Sequence, residues 1–253
     1  YILKKNMNSS EIAEKTKKNA LFMHINPIGL IRMGSNNEER LNNFNIFLND
    51  IQTAGGNIAI PSYSYSYTKS EIYNIKHSPC TLDEVSEYLR QQNLMKRTSD
   101  PNFSYLLFGD NFSSHHFEFG DSSSFGSHSL IEEVFLKDGY IGAIGGAIEY
   151  LTEIHLIEKK LKVNYRFDKF FYGESVDFYG KKLSNKSIYY CRDLKKNYSA
   201  SFIQLKNDLK KSGLVEEWFL DNNRLKIEVI KFSTVYNFIK EKILENPKYL
   251  WSK

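Results

Sequence analysis

The sequence predicts an α/β fold: a layered, mixed central sheet flanked by helices, with a smaller C-terminal α+β portion. Three observations carry this. Short apolar runs alternate with segments of helical periodicity through the first 160 residues. The 253 residues, 41% hydrophobic and 25% charged, stand near the upper size that one core supports. The 17 Tyr and 18 Phe are enough for aromatic packing to build much of that core. One domain over 1–253 is expected, with a core at 20–175 and the strands and helices of 176–253 packed on it.

The elements follow in order. SSEIAEKTKKN reads as a short polar helix and ALFMHI (20–25) as a strand. Ser35 and Glu38 in GSNNEERL have capping-box spacing. They open a helix on which Leu41, Phe44, Leu48 and Ile51 recur on one face. Gly55-Gly56 ends it, and NIAIPSYSYSY begins as a strand that leaves into a loop at Pro61. LDEVSEYLRQQ (82–92) predicts a helix, LMKRTSDPNFSYLLFG an extended segment, and 110–128 a polar loop rich in His and Ser. SLIEEVFLKDG (129–139) is helix, YIGAIGGA a strand running into a glycine turn, and 152–160 a helix capped by Thr152. LKVNYRFDKFFYG (161–173) alternates as strand or hairpin. SIYYCRD, EEWFL and RLKIEVIKF are strands, with a helix near 202–212. A last helix buries Phe232, Val235, Ile239 and Ile243.

Several function classes are set aside by composition. No apolar run approaches the ~20 residues that span a bilayer, and YILKKNMNSSE lacks the regions of a signal peptide. Cys80 and Cys191 form no CxxC and no disulfide framework. These features predict a cytoplasmic protein with reduced, structural cysteines. Net charge is +4 and the pI near 8.7. Lysine pairs at 159–160, 181–182, 195–196 and 210–211 are dispersed, so no basic stripe for nucleic acid forms. A modest positive field suits small anionic ligands, or reflects solvated surface lysines. Nothing in the sequence sets the oligomeric state.

Chemistry concentrates at LTEIHLIEKK (151–160). Residues three apart share a helix face, so His155 and Glu158 look the same way. The helix N-terminus disfavours an imidazolium, and Glu158 can hold one ring nitrogen and fix the tautomer. That is a general base with its orienting acid, or two solvated polar residues. Gly142, Gly145 and Gly146 before this helix permit close approach of a ligand or simply make a tight turn; they match neither GxGxxG nor a Walker A sequence. His115, His116, Glu118 and His128 lack any standard zinc spacing, and no metal is expected. GxSxG is absent.

Five segments in order resemble the aminoglycoside 3-N-acetyltransferase family. LFMHINPIGLI resembles its early strand, ending in a His followed by small residues. GGNIAIPSYSYSY resembles its strand and Pro-Thr-Phe-type turn. KRTSDPNFSYLLFG resembles its Arg-Ser-x-His-Pro-x-x-Ser segment. SSFGSHSLIEEVFLKDGYIGAIGGA resembles its Ser-Pro-x-Gly stretch, helix and strand. TEIHLIE resembles the Thr-x-x-His-x-x-Glu segment that carries the catalytic histidine. The resemblance spans roughly 20–175. It implies acetyl transfer from acetyl-coenzyme A to an amine, with His155 as base and Glu158 as its partner. It also implies a coenzyme channel near Pro61 to Ser64 and Arg97 to Ser104, so His24, Ser62, Tyr63, Ser64, Arg97, Thr98 and Ser104 are the coenzyme candidates. Arg97 meets a phosphate or a structural carboxylate. Asp100, Tyr65 and Tyr67 are the substrate candidates, Asp100 being alternatively an N-cap or turn residue.

Asp100-Pro101 stands where drug-modifying members have His-Pro. Forms with Asp-Pro resemble the branch that acetylates nucleotide-linked amino sugars for surface polysaccharides, and the chain's basic charge points the same way. The expected acceptor is therefore a nucleotide-linked amino sugar. The alternatives are aminoglycoside inactivation, or a non-catalytic binding module that kept the fold.

Overall fold

A computed structural model describes residues 3–146, 148, 151–196, 199–200, 202–220 and 225–252. Its centre is a seven-stranded mixed sheet. The strands run across it as β1 (Leu3–Asn6), β11 (Glu216–Leu220), β12 (Leu225–Lys231), β7 (Tyr140–Ile144), β2 (Leu21–Ile25), β3 (Ile58–Pro61) and β5 (Tyr105–Phe108). β7, β2 and β3 are mutually parallel, and β12 and β5 flank them antiparallel.

Period-two alternation along these strands divides the core between two faces. Leu21, Met23, Ile58, Ile60, Leu106 and Phe108 pack on one face, with helices α1 (Ser9–Thr16), α2 (Asn37–Thr53) and α3 (Glu84–Gln92). Phe22, Ala59, Tyr105, Leu107 and Ile141 pack on the other, with α4 (Leu130–Leu136), α5 (Ile154–Lys160), α6 (Ile203–Lys211) and α7 (Phe232–Glu245). Helix α7 contributes Phe232, Val235 and Ile239, all fully buried, and burying each such side chain stabilises the fold by about 1.5–3 kcal/mol. Ile243 is only partly buried at its end.

The C-terminal strands do not stand apart from the core. β11 and β12 enter the main sheet beside β7, and β1, which the sequence does not signal, closes its edge by pairing parallel with β11. A second sheet is built on the hairpin of β8 (Arg166–Val176) and β9 (Lys182–Arg192), edged by the two-residue strands β4 (Tyr73–Asn74) and β6 (Ser122–Ser123). A two-stranded pair joins β10 (Ser199–Ala200) to β13 (Trp251–Ser252).

The starts of α2 and α5 each differ from expectation by a residue or two. The cap of α2 is Asn36, whose side chain accepts from the Glu39 N–H, while Ser35 binds the Glu39 carboxylate. Helix α5 begins at Ile154, and its cap position, Glu153, makes no side-chain cap bond. Thr152 contributes its carbonyl, which accepts from the His155 N–H.

Candidate active site

The connection from β2 leads to its neighbour β3 on one side, while β7 joins β2 on the other. Ligands bind at such reversals, outside the carboxyl ends of parallel strands. Helix α5 stands there because β7 ends in a turn at Gly145 and Gly146, both in the left-handed region (φ 65° and 82°). The turn packs closely: a Cβ on Gly145 would lie 2.8 Å from the Asn26 carbonyl oxygen and 2.9 Å from the Gly29 nitrogen.

The first turns of α5 present His155 and Glu158 together, as their spacing predicts. His155 Nδ1 lies 2.7 Å from Glu158 Oε2. Arg166, the first residue of β8, places Nε 2.6 Å from the same oxygen. Glu158 is fully buried and the His155 side chain 15% exposed. The carboxylate fixes the proton on Nδ1, which leaves the Nε2 lone pair as the open position. Burial lowers the His155 pKa, and the Arg166 charge adds to this against the opposing pull of Glu158. Burial pushes Glu158 up, but the His155 and Arg166 contacts outweigh it and hold the carboxyl below its ordinary value. The result is a neutral imidazole beside an ionised carboxylate, which is what a base near neutral pH requires.

His155 opens onto a cavity of about 630 Å³ that also meets Arg166, Lys169, Tyr189, Arg192 and Lys195. Phe125 and Phe202 flank its ring, with centroids 5.3 and 6.1 Å away. Cys191 lines the same cavity, but burial pushes its thiol up, away from the thiolate a nucleophile needs.

His24 and Tyr63 line a different cavity, of about 280 Å³, with Pro61, Asp83 and Thr152. The two cavities flank the start of α5, one meeting Thr152 and the other His155.

The remaining coenzyme candidates, Ser62, Ser64, Arg97, Thr98 and Ser104, line neither of these two cavities. Arg97 is fully buried, and its guanidinium donates to Ser104 Oγ (3.1 Å), the Ser62 carbonyl (2.8 Å) and the Ser78 carbonyl. Its partners are a hydroxyl and backbone carbonyls and include no carboxylate, so the guanidinium ties together the segments that carry Ser62, Ser78 and Ser104. Ser104 Oγ also donates to the Ser62 carbonyl, Ser64 Oγ to the Pro101 carbonyl, and Thr98 Oγ accepts from the Tyr105 N–H. Ser62, Ser64, Thr98 and Ser104 are all buried in this node.

Asp100 is a turn residue, accepting from the Asn102 and Phe103 N–H groups and the Ser124 hydroxyl. It faces the serine- and histidine-rich cavity and not the one at His155. Tyr65 packs edge-on against Tyr63 and Phe103. Tyr67 bonds Ser175 and Asn185 of the second sheet. Neither reaches the His155 cavity.

In the histidine-rich loop, metal-binding atoms of His115, His116 and Glu133 lie within 4.8 Å of one another. The carboxylate is already engaged by His116 Nε2 at 2.7 Å and Lys137 Nζ at 2.8 Å. Glu118 and His128 stand outside this group.

Residues 44–242 match the family model described as aminoglycoside 3-N-acetyltransferase. The chain belongs to the aminoglycoside 3-N-acetyltransferase family. Solved structures of similar fold include AAC-VIa bound to sisomicin (12% identity, TM-score 0.68, covering 94% of this chain and 98% of that one). AAC-IIIb in binary complex with CoASH is 12% identical (TM-score 0.65, 96% and 98% covered), and the YokD protein from Bacillus subtilis 16% (TM-score 0.63, 97% and 96%). No curated protein sequence matches the chain. Membership in this family makes the chain an N-acetyltransferase, and among the described residues no helix is long and apolar enough to cross a membrane.

Sequence reasoning missed Arg166, Lys169 and Arg192, because the β8–β9 hairpin brings them to His155 from another sheet. It also missed Glu153, whose neighbours in space come from β2 and β5.

Proposed function

We propose that this protein transfers an acetyl group from acetyl-coenzyme A to an amine of an aminoglycoside-type amino sugar, with His155 as general base. The observation that carries this is the His155–Glu158–Arg166 arrangement, with the free imidazole nitrogen at the mouth of a cavity of substrate size. Acetyl-coenzyme A is the acyl donor, consistent with the family and with the coenzyme-bound AAC-IIIb relative. The residues fit such a donor: the cavity at the strand ends is lined by apolar Ile25, Pro27, Pro61 and Leu82 and by polar His24, Asn26, Tyr63, Asp83, Ser86 and Thr152. That is the mixture a pantetheine arm needs.

His155 Nε2 takes a proton from the acceptor amine as the amine nitrogen bonds to the thioester carbonyl carbon. Glu158 stabilises the imidazolium that forms, and the carbon–sulfur bond breaks. His155 returns the proton to the departing sulfur, so no covalent acyl-enzyme is needed. Holding both substrates at the foot of α5 supplies much of the rate.

The family and its structural relatives favour an aminoglycoside acceptor over the nucleotide-linked sugar expected from Asp100-Pro101. One observation favours the nucleotide-linked reading. Arg166, Lys169, Arg192 and Lys195 line the His155 cavity against a single acid, Asp193, a field that attracts anions and repels polycations. Measuring kcat/KM on one preparation, with gentamicin-type aminoglycosides and with nucleotide-linked amino sugars, separates them. A higher value for the aminoglycosides supports the first reading, and turnover of the nucleotide-linked sugar alone supports the second.

A further inference from the structure

Beside the catalytic pair the fold contains a second histidine–carboxylate pair, placed where it meets the donor cavity. Glu153 comes two residues before His155 and is fully buried. A buried carboxylate is tolerated only when donors satisfy it. Both of its oxygens lie near His24 Nε2, at 3.0 and 2.8 Å, and Tyr105 donates its hydroxyl to Oε1 at 3.1 Å. The Tyr63 hydroxyl lies 2.6 Å from the Tyr105 hydroxyl. Since Tyr105 gives its proton to the carboxylate, Tyr63 must be the donor in that bond. Burial holds both phenols well above their ordinary pKa, so each keeps its proton. The chain runs Tyr63 to Tyr105 to Glu153, with His24 donating from the other side.

Both ends of this chain return to one place. His24 and Tyr63 line the same cavity at the carboxyl ends of β2 and β3, together with Thr152, whose side chain is against the Tyr63 hydroxyl. Strand alternation puts His24 on the Phe22 face, the face that carries α5. Glu153 occupies Nε2, so Nδ1 is the ring's remaining polar atom, and among the described residues it has no hydrogen-bond partner. A carboxylate that fixes one imidazole nitrogen thereby sets what the other presents. The proton transfers derived above use neither Glu153 nor Tyr105.

We propose that Glu153 is a positioning residue for the acyl donor: through His24 it fixes the imidazole edge that lines the strand-end cavity, and so holds an amide group of the donor's pantetheine arm beside α5. This rests on the reading that acetyl-coenzyme A occupies that cavity. Pantetheine carries two secondary amides, and a ring nitrogen fixed in the wall of that cavity is placed to accept from one of them. Glu153 acts only through His24 and does not touch the donor.

The test compares Glu153→Leu with Glu153→Gln, whose amide oxygen still accepts the His24 N–H. Glu153→Leu should raise KM for acetyl-coenzyme A about fivefold or more, the loss expected for one hydrogen bond, while kcat and the acceptor KM stay within about twofold of the parent. Glu153→Gln should restore most of the donor KM. An unchanged donor KM in the leucine variant, or equal losses in all parameters in both variants, overturns the proposal. Should the leucine variant not fold, 15N-histidine NMR of the unmodified protein decides: coenzyme A must move the His24 Nδ1 resonance, and an unmoved resonance overturns it. His155→Ala in the same assays separates the two ideas. An inactive His155→Ala with a normal donor KM in Glu153→Leu sinks only the positioning role, whereas an active His155→Ala sinks the reading it rests on.

Discussion

The role proposed for His155 requires an Nε2 that carries no proton, and opposing influences set the pH at which that holds. Burial and the Arg166 charge push its pKa down, while Glu158 pulls it up. Because the folded value lies below the ordinary ~6.5 of histidine, the acid limb of kcat/KM should fall at a pH under that value. Glu158→Gln removes the largest influence that favours the imidazolium, leaving only the smaller pull of Glu153 against burial and Arg166. Its acid limb should move further toward acid, and its kcat should fall less than that of His155→Ala because an amide oxygen can still accept the Nδ1 proton. A limb that moves toward alkaline pH in Glu158→Gln would contradict the assigned geometry. The pair itself was legible in the sequence because i and i+3 are neighbours on any helix. Arg166 was not, since its contact depends on how the β8–β9 hairpin docks. Arg97, Ser62, Ser64, Thr98 and Ser104 belonged to recognisable segments, but a motif does not reveal which way a side chain faces; all five are buried, and Arg97, Ser64 and Ser104 donate to loop carbonyls.

At the scale of elements, the turn between β7 and α5 sets where His155 stands. Gly145 combines a left-handed backbone with contacts that leave no room for a methyl group. Gly145→Ala should destabilise by at least ~1 kcal/mol from the backbone alone, and the Asn26 and Gly29 contacts add to it. In a chain of this size that lowers Tm by roughly 2–4 °C per kcal/mol; an unchanged Tm in a thermal melt would show the turn to be adaptable. Helix α3 offers a pH signature. Burial pushes Glu87 up, but bonds from Arg90, the Cys80 N–H and Gln91 prevail and hold its pKa at about 2, against an ordinary 4.5. A depressed carboxylate stabilises the fold fully above its unfolded value and loses that contribution as pH falls toward its folded one. Thermal stability should therefore decline between about pH 4.5 and 2, and Glu87→Gln should flatten that decline. The strands and helices of the main sheet were readable because their periods of two and 3.6 are long enough to see. The two-residue strands β4, β6, β10 and β13 carry no period at all. β1 is edge pairing, whose polar LKKN sequence gives no apolar signal.

The whole molecule joins a sandwiched sheet, a docked hairpin and two cavities on either side of one short helix. The sandwich fixes the strand ends and with them His24. The hairpin delivers Arg166, Lys169 and Arg192 to the His155 cavity. This division explains why family resemblance was evident from local motifs while the acceptor was not: the motifs lie on the main sheet and its helices, whereas the wall of the His155 cavity is supplied largely by β8, β9 and the segment after them. The central claim is that the imidazole at 155 takes the proton in an acetyl transfer. The measurement that tests it most directly is coenzyme A release from acetyl-coenzyme A with an amino-sugar acceptor, run on the parent and on folded His155→Ala side by side. The account predicts that the parent releases one coenzyme A per acetylated amine and that His155→Ala loses at least ~100-fold in kcat while still binding coenzyme A. A His155→Ala variant that turns over as fast as the parent would contradict it.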